Sequence, residues 1–214
     1  MLLKTLIIVI ISTLIIFGCI NAQDEKIIKM PPPQTEIGKP LMKALQLRHS
    51  DREFSSKLIS LQELSNLIWA ADGINRPETG KRTAPSAMNK QEVDVYLAMQ
   101  DGLYIYMPKE HSLKLVLKED IRALAGKQDF VKDAPLNLIY VADFSRMGDG
   151  KVEDKIIYSA ADVGFIAQNV YLYCASEGLN AVVRAYIDKD VLSKKMNLKP
   201  EQKIILSQTV GYPK

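Results

Sequence analysis

The chain is short of the residues that build metal and disulfide frameworks. Its 214 residues include two cysteines, two histidines and one tryptophan. Two cysteines cannot make a disulfide scaffold or a cysteine-based zinc signature. Cys174 lies in an apolar helical run and reads as a buried, inert thiol. His49 and His111 have no partners at metal-ligand spacing, which leaves no zinc site. Charge of one sign is also missing: 28 basic residues stand against 25 acidic ones, for a net charge of +3. That balance, with no basic run, excludes a nucleic-acid-binding surface. Internal repeats are absent. No Ser/His/Asp arrangement and no pair of carboxylates stands out for general acid–base work.

What is present suits one globular domain, with 47% hydrophobic and 25% charged residues. The first 22 residues stand apart. Lys4 is their only charge, and residues 6–17 are dominated by Leu and Ile. A basic start, an apolar stretch and a small residue before Gln23 predict a secretory signal over 1–22, cleaved after Ala22. Two variants stay open. Ile16-Phe17-Gly18-Cys19 is a loose lipobox, which would make Cys19 a lipidated first residue, and the uncharged run 5–22 could remain as an anchor. All three place the globular part outside the cytoplasm, periplasmic or membrane-anchored. Residues 23–39 contain Met30-Pro31-Pro32-Pro33 and predict an extended polyproline linker, either a tether or an arm packed on the surface.

The domain proper is expected over 40–214. A first helix over 40–47 carries Leu41, Ala44, Leu45 and Leu47 as its buried stripe. Ser60-Leu61-Gln62-Glu63 predicts a capping box for a second helix running to about Ala71. Residues 73–88 read as a long loop. Val93, Val95 and Leu97 alternate with Glu92, Asp94 and Tyr96, as in a half-buried strand. Strands over 103–107 and 113–117 form a hairpin, a short helix follows over 120–125, and 126–133 is polar and irregular. The near-continuous apolar run 136–142 predicts a central strand covered on both faces. Residues 147–155 read as flexible. The longest helix is expected over 156–177, apolar on most sides, with Gly178 as its C-cap. Such a helix needs cover on most sides, which either a second subunit or the core of a monomer provides. A strand over 180–187, a helix over 189–196 and a strand over 203–211 complete an α+β fold, a mixed or antiparallel sheet with helices packed on it.

Two stretches carry the chemistry. Arg48-His49-Ser50-Asp51-Arg52 sets two guanidiniums around a hydroxyl, the equipment for a phosphate and the polar edge of a ring. It follows a helix C-terminus, whose dipole repels anions, so the arginines must supply the attraction. Alone, the pattern also fits a solvated helix end. Pro85-Ser86-Ala87-Met88-Asn89-Lys90-Gln91 forms a polar loop before the strand at 92–99. Together, an arginine-rich end of the first helix and a Pro-Ser-x-x-Asn-x-Gln loop after the second resemble the nitroreductase superfamily of flavin mononucleotide (FMN) enzymes. The compact SagB-type dehydrogenase branch is nearest. The resemblance runs from about Leu41 to Pro213 and closes on Val210-Gly211-Tyr212-Pro213.

The resemblance implies an FMN-dependent oxidoreductase that moves a hydride through flavin N5 to or from a small or peptide-borne substrate, and it admits NAD(P)H as donor. It implies a homodimer with FMN at the interface and the long helix between subunits. Arg48 and Ser50 would hold the phosphate and ribityl chain, with His49 contributing backbone, and Arg52 would lie by the N1 and O2 edge. Pro85, Ser86, Ala87 and Asn89 would reach the flavin from the partner subunit. Gln91 would brace that loop. At Val183-Arg184-Ala185-Tyr186 the resemblance implies a backbone N–H on N5. Here Arg184 and Ala185 replace the family's acidic residue and glycine, setting a reversed charge near the reacting edge. Gly211 and Lys214 would lie near the phosphate. An exported flavin- or ligand-binding protein of the same fold, without turnover, is the alternative.

Overall fold

A computed structural model describes residues 26–214, so the expected signal segment 1–22, with Cys19 and Ala22, lies outside the described residues. The strands are β1 (Ile27–Lys29), β2 (Ile74–Arg76), β3 (Lys81–Arg82), β4 (Val93–Met99), β5 (Gly102–Met107), β6 (Ser112–Leu117), β7 (Leu136–Asp143), β8 (Asn180–Arg184) and β9 (Gln202–Gly211). The helices are α1 (Leu41–Leu47), α2 (Leu61–Asp72), α3 (Phe130–Asp133), α4 (Val152–Glu177) and α5 (Lys189–Lys195). Seven strands form one sheet in the order β1-β6-β5-β4-β7-β9-β8, and every neighbouring pair in it is antiparallel. The fold is α+β, and the open choice between a mixed and an antiparallel sheet falls to the latter.

The apolar run over β7 is the central strand expected of it, between β4 and β9 and buried along most of its length. Its two faces feed two cores. Leu136, Leu138 and Tyr140 meet α2 and α4, while Ile139 and Val141 meet the segment around Ile121, Val131 and Leu192. β4 shares both cores, so its expected polar face is corrected. Tyr96 and Ala98 are buried opposite Val95 and Leu97, because α5 and the 121–131 segment cover that side. Gln208, fully buried, accepts from the Tyr140 hydroxyl and donates to the Ala167 carbonyl at 3.2 Å, tying the sheet to α4.

Of the two open readings of the proline segment, the arm packed on the surface is the one that forms, and three other expectations change. β1 pairs with β6 at the sheet edge, and the chain after it lies on α2, with Ser65 Oγ donating to the Pro31 carbonyl. The loop over 73–88 contains the β2–β3 hairpin and the start of a 3-10 turn, Ala87–Asn89. α4 starts at Val152, earlier than the glycines at 148 and 150 suggested, with Glu153 and Asp154 favourably placed at its positive end. The α1 stripe is not buried: Ala44 is, but Leu41 is 63% and Leu45 43% exposed. α4 also leaves apolar groups bare, with Ile156, Ile157 and Phe165 exposed. Its buried face carries Val163, Val170 and Cys174 into the core, and the helix stops at Gly178, left-handed at φ 77°.

The capping box forms as expected. Ser60 Oγ accepts from Glu63 N–H at 3.2 Å, and the Glu63 carboxylate accepts from Ser60 N–H at 3.1 Å. Tyr212 near the C-terminus donates to the same carboxylate at 2.6 Å, so one side chain starts α2 and pins the chain end. Replacing Ser60 by Ala should lower stability by about 1 kcal/mol. The check is a lower urea midpoint with an unchanged denaturant slope.

Candidate functional site

The first cluster grows from the end of α1. Arg48 leaves helical geometry and caps the helix, its N–H donating to the Ala44 carbonyl at 2.9 Å. The chain then runs along β8: Asp51 N–H donates to the Ala181 carbonyl at 3.0 Å, and Asn180 Nδ2 donates to the Glu53 carbonyl at 2.8 Å. These bonds fix Ser50 beside Tyr171 of α4. The Tyr171 oxygen accepts from Val183 N–H at 2.8 Å, which leaves its own proton for Ser50 Oγ, also at 2.8 Å. The Arg48 guanidinium lies over the Tyr171 ring, 5.4 Å from its centre. No acidic side chain of the described residues pairs with Arg48 or Arg52. His49 Nδ1 turns back to the Leu47 carbonyl at 2.8 Å, and its ring is exposed. Two uncompensated guanidiniums around a positioned hydroxyl suit an anion of phosphate type.

The second cluster is the loop 85–91. Ala87 N–H donates to Asp162 Oδ2 of α4 at 2.9 Å, and Gln91 N–H donates to Ser86 Oγ at 3.0 Å. Gln91 Nε2 donates to the Gly80 carbonyl at 3.1 Å and to Asn89 Oδ1 at 3.2 Å, so Gln91 braces the loop. Met88, Asn89 and Gln91 all have positive φ, at 52°, 53° and 48°. Left-handed backbone at non-glycine residues costs on the order of 1 kcal/mol or more each, and it persists only where surroundings impose it. The tip is bare: Pro85 and Asn89 are exposed and Met88 is 77% so. Beneath it Glu92 is fully buried, and neither carboxyl oxygen has a hydrogen-bond partner. Burial pushes its pKa above the ordinary 4.5, and the charge of neighbouring Asp162 adds to the rise.

The two clusters do not meet within one chain. Asp162 and Tyr171 are nine residues apart on one helix, roughly 13 Å along its axis and two and a half turns around it. Each cluster is anchored to an opposite side of α4.

The end of β8 departs from expectation. Arg184 carries no charge toward an open edge. It is 7% exposed, its guanidinium bonded to Asn137 Oδ1 at 2.8 Å, to the Ala125 carbonyl at 3.1 Å and to Thr209 Oγ1. Strand alternation puts it on the face of Val182, away from α4, and burial lowers its pKa to about 10. Ala185 and Tyr186 are exposed just past the strand. Gly211 is buried, and a Cβ there would come within 2.7 Å of the Pro135 ring, so its smallness serves packing. Lys214 is exposed. Sequence reading missed Tyr171, Asp162 and Glu92. The one available signal was Asp162, a lone acid inside the apolar run of α4.

The sequence profile of the nitroreductase family matches residues 45–212. A candidate nitroreductase of Methanocaldococcus jannaschii is 36% identical over 155 residues, which cover 67% of this chain and 78% of that protein. The FMN reductase (NAD(P)H) of Bacillus subtilis is 27% identical over 154 residues, 66% of this chain and 52% of its own length. A crystal structure of a candidate nitroreductase from Ralstonia eutropha superposes with a TM-score of 0.85 at 45% identity, covering 89% of this chain and 90% of that one.

Glu92 gives a pH test. The folded chain binds its proton more tightly than the unfolded chain. Its contribution to stability therefore falls as pH rises above the ordinary glutamate value of 4.5. Glu92→Gln should gain stability relative to the parent as pH rises above the ordinary glutamate value, read by urea denaturation at each pH. A constant difference would show that folding leaves the proton affinity of Glu92 unchanged.

Proposed function

The chain belongs to the nitroreductase family and is an FMN-dependent oxidoreductase; on that premise we propose that it moves a hydride between a nicotinamide donor and a small organic acceptor, in a site built from two copies of the chain. The observation that carries this reading is the pair of uncompensated guanidiniums at Arg48 and Arg52 around Ser50, held by Tyr171 and Val183. These groups fit a flavin phosphate and the polar edge of its ring. When bound, FMN supplies the hydride chemistry, and the protein supplies orientation and charge. Arg48 and Ser50 hold the phosphate. Arg52, exposed in the single chain, would set a positive charge where the reduced ring carries negative charge and so favour reduction. Ala185, at the exposed end of β8, offers backbone to the reacting edge. The donor follows the name of the Bacillus relative, FMN reductase (NAD(P)H).

The separation of the two clusters on α4 supports a second copy. A loop whose tip is bare and whose backbone is held in strained geometry suits contact with a ring seated in a partner chain. The exposed apolar groups of α1 and α4 give that partner a surface, since Leu41, Met42, Ile156, Ile157 and Phe165 have no cover among the described residues. Closing this face would also shield the reacting edge from water.

Arg48→Ala should weaken FMN binding by about 1.5–3 kcal/mol, the loss of a hydrogen bond to a charged group. Quenching of flavin fluorescence on titration measures it, and an unchanged affinity would place the phosphate elsewhere. Sedimentation equilibrium at micromolar concentration should give twice the chain mass, with Ile157→Asp shifting the equilibrium toward monomer. A monomeric parent that holds FMN with full affinity would rule out the shared site.

A further inference from the structure

A second cavity lies beside the loop 85–91 and shares only its brace, Gln91, with the flavin reading. It encloses about 620 Å³ between the proline arm after β1, the β2–β3 hairpin and the turn joining β5 to β6. That volume is in the range of sites that take small organic ligands, roughly 300–1,000 Å³. Its walls are rich in proline. Pro32 and Pro33 come from the arm, Pro77 from the hairpin and Pro108 from the turn, with the Trp69 indole of α2 between them. Proline has no N–H, so these surfaces offer ring faces and little that must be hydrogen-bonded.

The walls are also fixed before any ligand arrives. The Pro32 carbonyl accepts from Gln62 Nε2 at 3.0 Å, and Met30 N–H donates to the His111 carbonyl at 3.1 Å. Trp69 Nε1–H donates to the Ile74 carbonyl at 3.1 Å, which orients the indole. His111 is clamped at both nitrogens, to Tyr106 Oη at 2.9 Å and Ser65 Oγ at 2.7 Å. Because Ser65 Oγ gives its proton to the Pro31 carbonyl, His111 Nε2 is the donor to Ser65, and Nδ1 accepts from Tyr106. The ring is thereby held in its neutral form, and burial lowers its pKa further. A preformed cavity spares the ligand the cost of ordering its walls.

The charge around the cavity is one-sided. Arg82 and Lys109 line it, and no Asp or Glu does. Arg82 is neutralised by Asp72 behind the wall. Lys109 is exposed and has no partner among the described residues. The lining therefore presents flat apolar faces and one free positive charge. We propose that this cavity is a second ligand site, taking a flat, fused-ring aromatic molecule that bears a single negative charge. It includes none of Arg48, Ser50, Arg52 or residues 85–89, and the inference holds whether or not those residues bind a flavin.

The test uses the full chain as purified, with 2-naphthoate as probe and neutral 2-naphthamide as its uncharged counterpart. Calorimetry gives the affinities. The single tryptophan of the chain gives the location, because Trp69 alone supplies an indole N–H resonance. Saturable binding of 2-naphthoate with movement of that resonance is expected, tighter than 2-naphthamide by about threefold, the worth of one exposed ion pair. Lys109→Gln should bring the two affinities together. Trp69 also borders the groove between α1, α2 and α4, but Lys109 does not, so the Lys109→Gln result assigns the signal to this cavity. No saturable movement of the indole resonance would overturn the proposal. So would equal binding of the two probes, or a change in the flavin absorption band with the indole resonance unmoved. Loss of FMN binding in Arg48→Ala with 2-naphthoate binding intact would show the two sites to be separate.

Discussion

The Tyr171 hydroxyl holds the candidate site together. It accepts from the backbone of β8 and faces Ser50, while its ring carries the Arg48 guanidinium. One side chain thus links the central helix, the sheet edge and the irregular segment that follows α1. That segment has no regular structure of its own from 48 to 60, and α1 is only seven residues long. A short helix and an extended strip cannot position a guanidinium by themselves. They acquire a fixed geometry because α4, packed on the sheet through Val163, Val170 and Cys174, presents a rigid hydroxyl to them.

The same helix explains why one chain is incomplete. One face enters the core, while Ile156, Ile157 and Phe165 lie bare on the rest of its surface. Asp162 holds the loop 85–91 from one side, and Tyr171 holds the arginine segment from the other. The apolar groups that this helix leaves exposed are available to a second copy. The bare α1 face lies beside it, since α1 packs on α4.

Buried charge is handled in two ways. Arg184 is surrounded by neutral acceptors from three separate segments, Ala125, Asn137 and Thr209, which spread its charge without a counter-ion. This network fastens the 121–131 segment to β7 and β9, and it makes Arg184 a structural residue of the layer opposite α4. Asp72 and Arg82 instead form a buried ion pair where α2 ends and the β2–β3 hairpin begins. Removing one partner of such a pair leaves an uncompensated charge and costs several kcal/mol. The hairpin that walls the second cavity therefore stands on a charged hinge.

Local chemistry made much of this legible in the sequence. The capping box at Ser60, the C-cap at Gly178, the run over β7 and the β5–β6 hairpin all depend on neighbours within a few residues, and each appears where its residues place it. The two motif stretches and the family followed from residue types at short spacing. Tertiary structure decided what depends on residues far apart in the chain. It put Arg184 under the sheet rather than at its edge, because Asn137 and Thr209 arrive from other strands. It made residues 27–29, just before the prolines, an edge strand, because β6 offered an unpaired side. It left the α1 stripe bare, since an apolar period says that a face must be covered but not by which chain. It also selected Tyr171 and Asp162 from among the residues of a long apolar helix, because a hydroxyl and a carboxylate acquire a role only when distant backbone groups are brought within hydrogen-bonding reach.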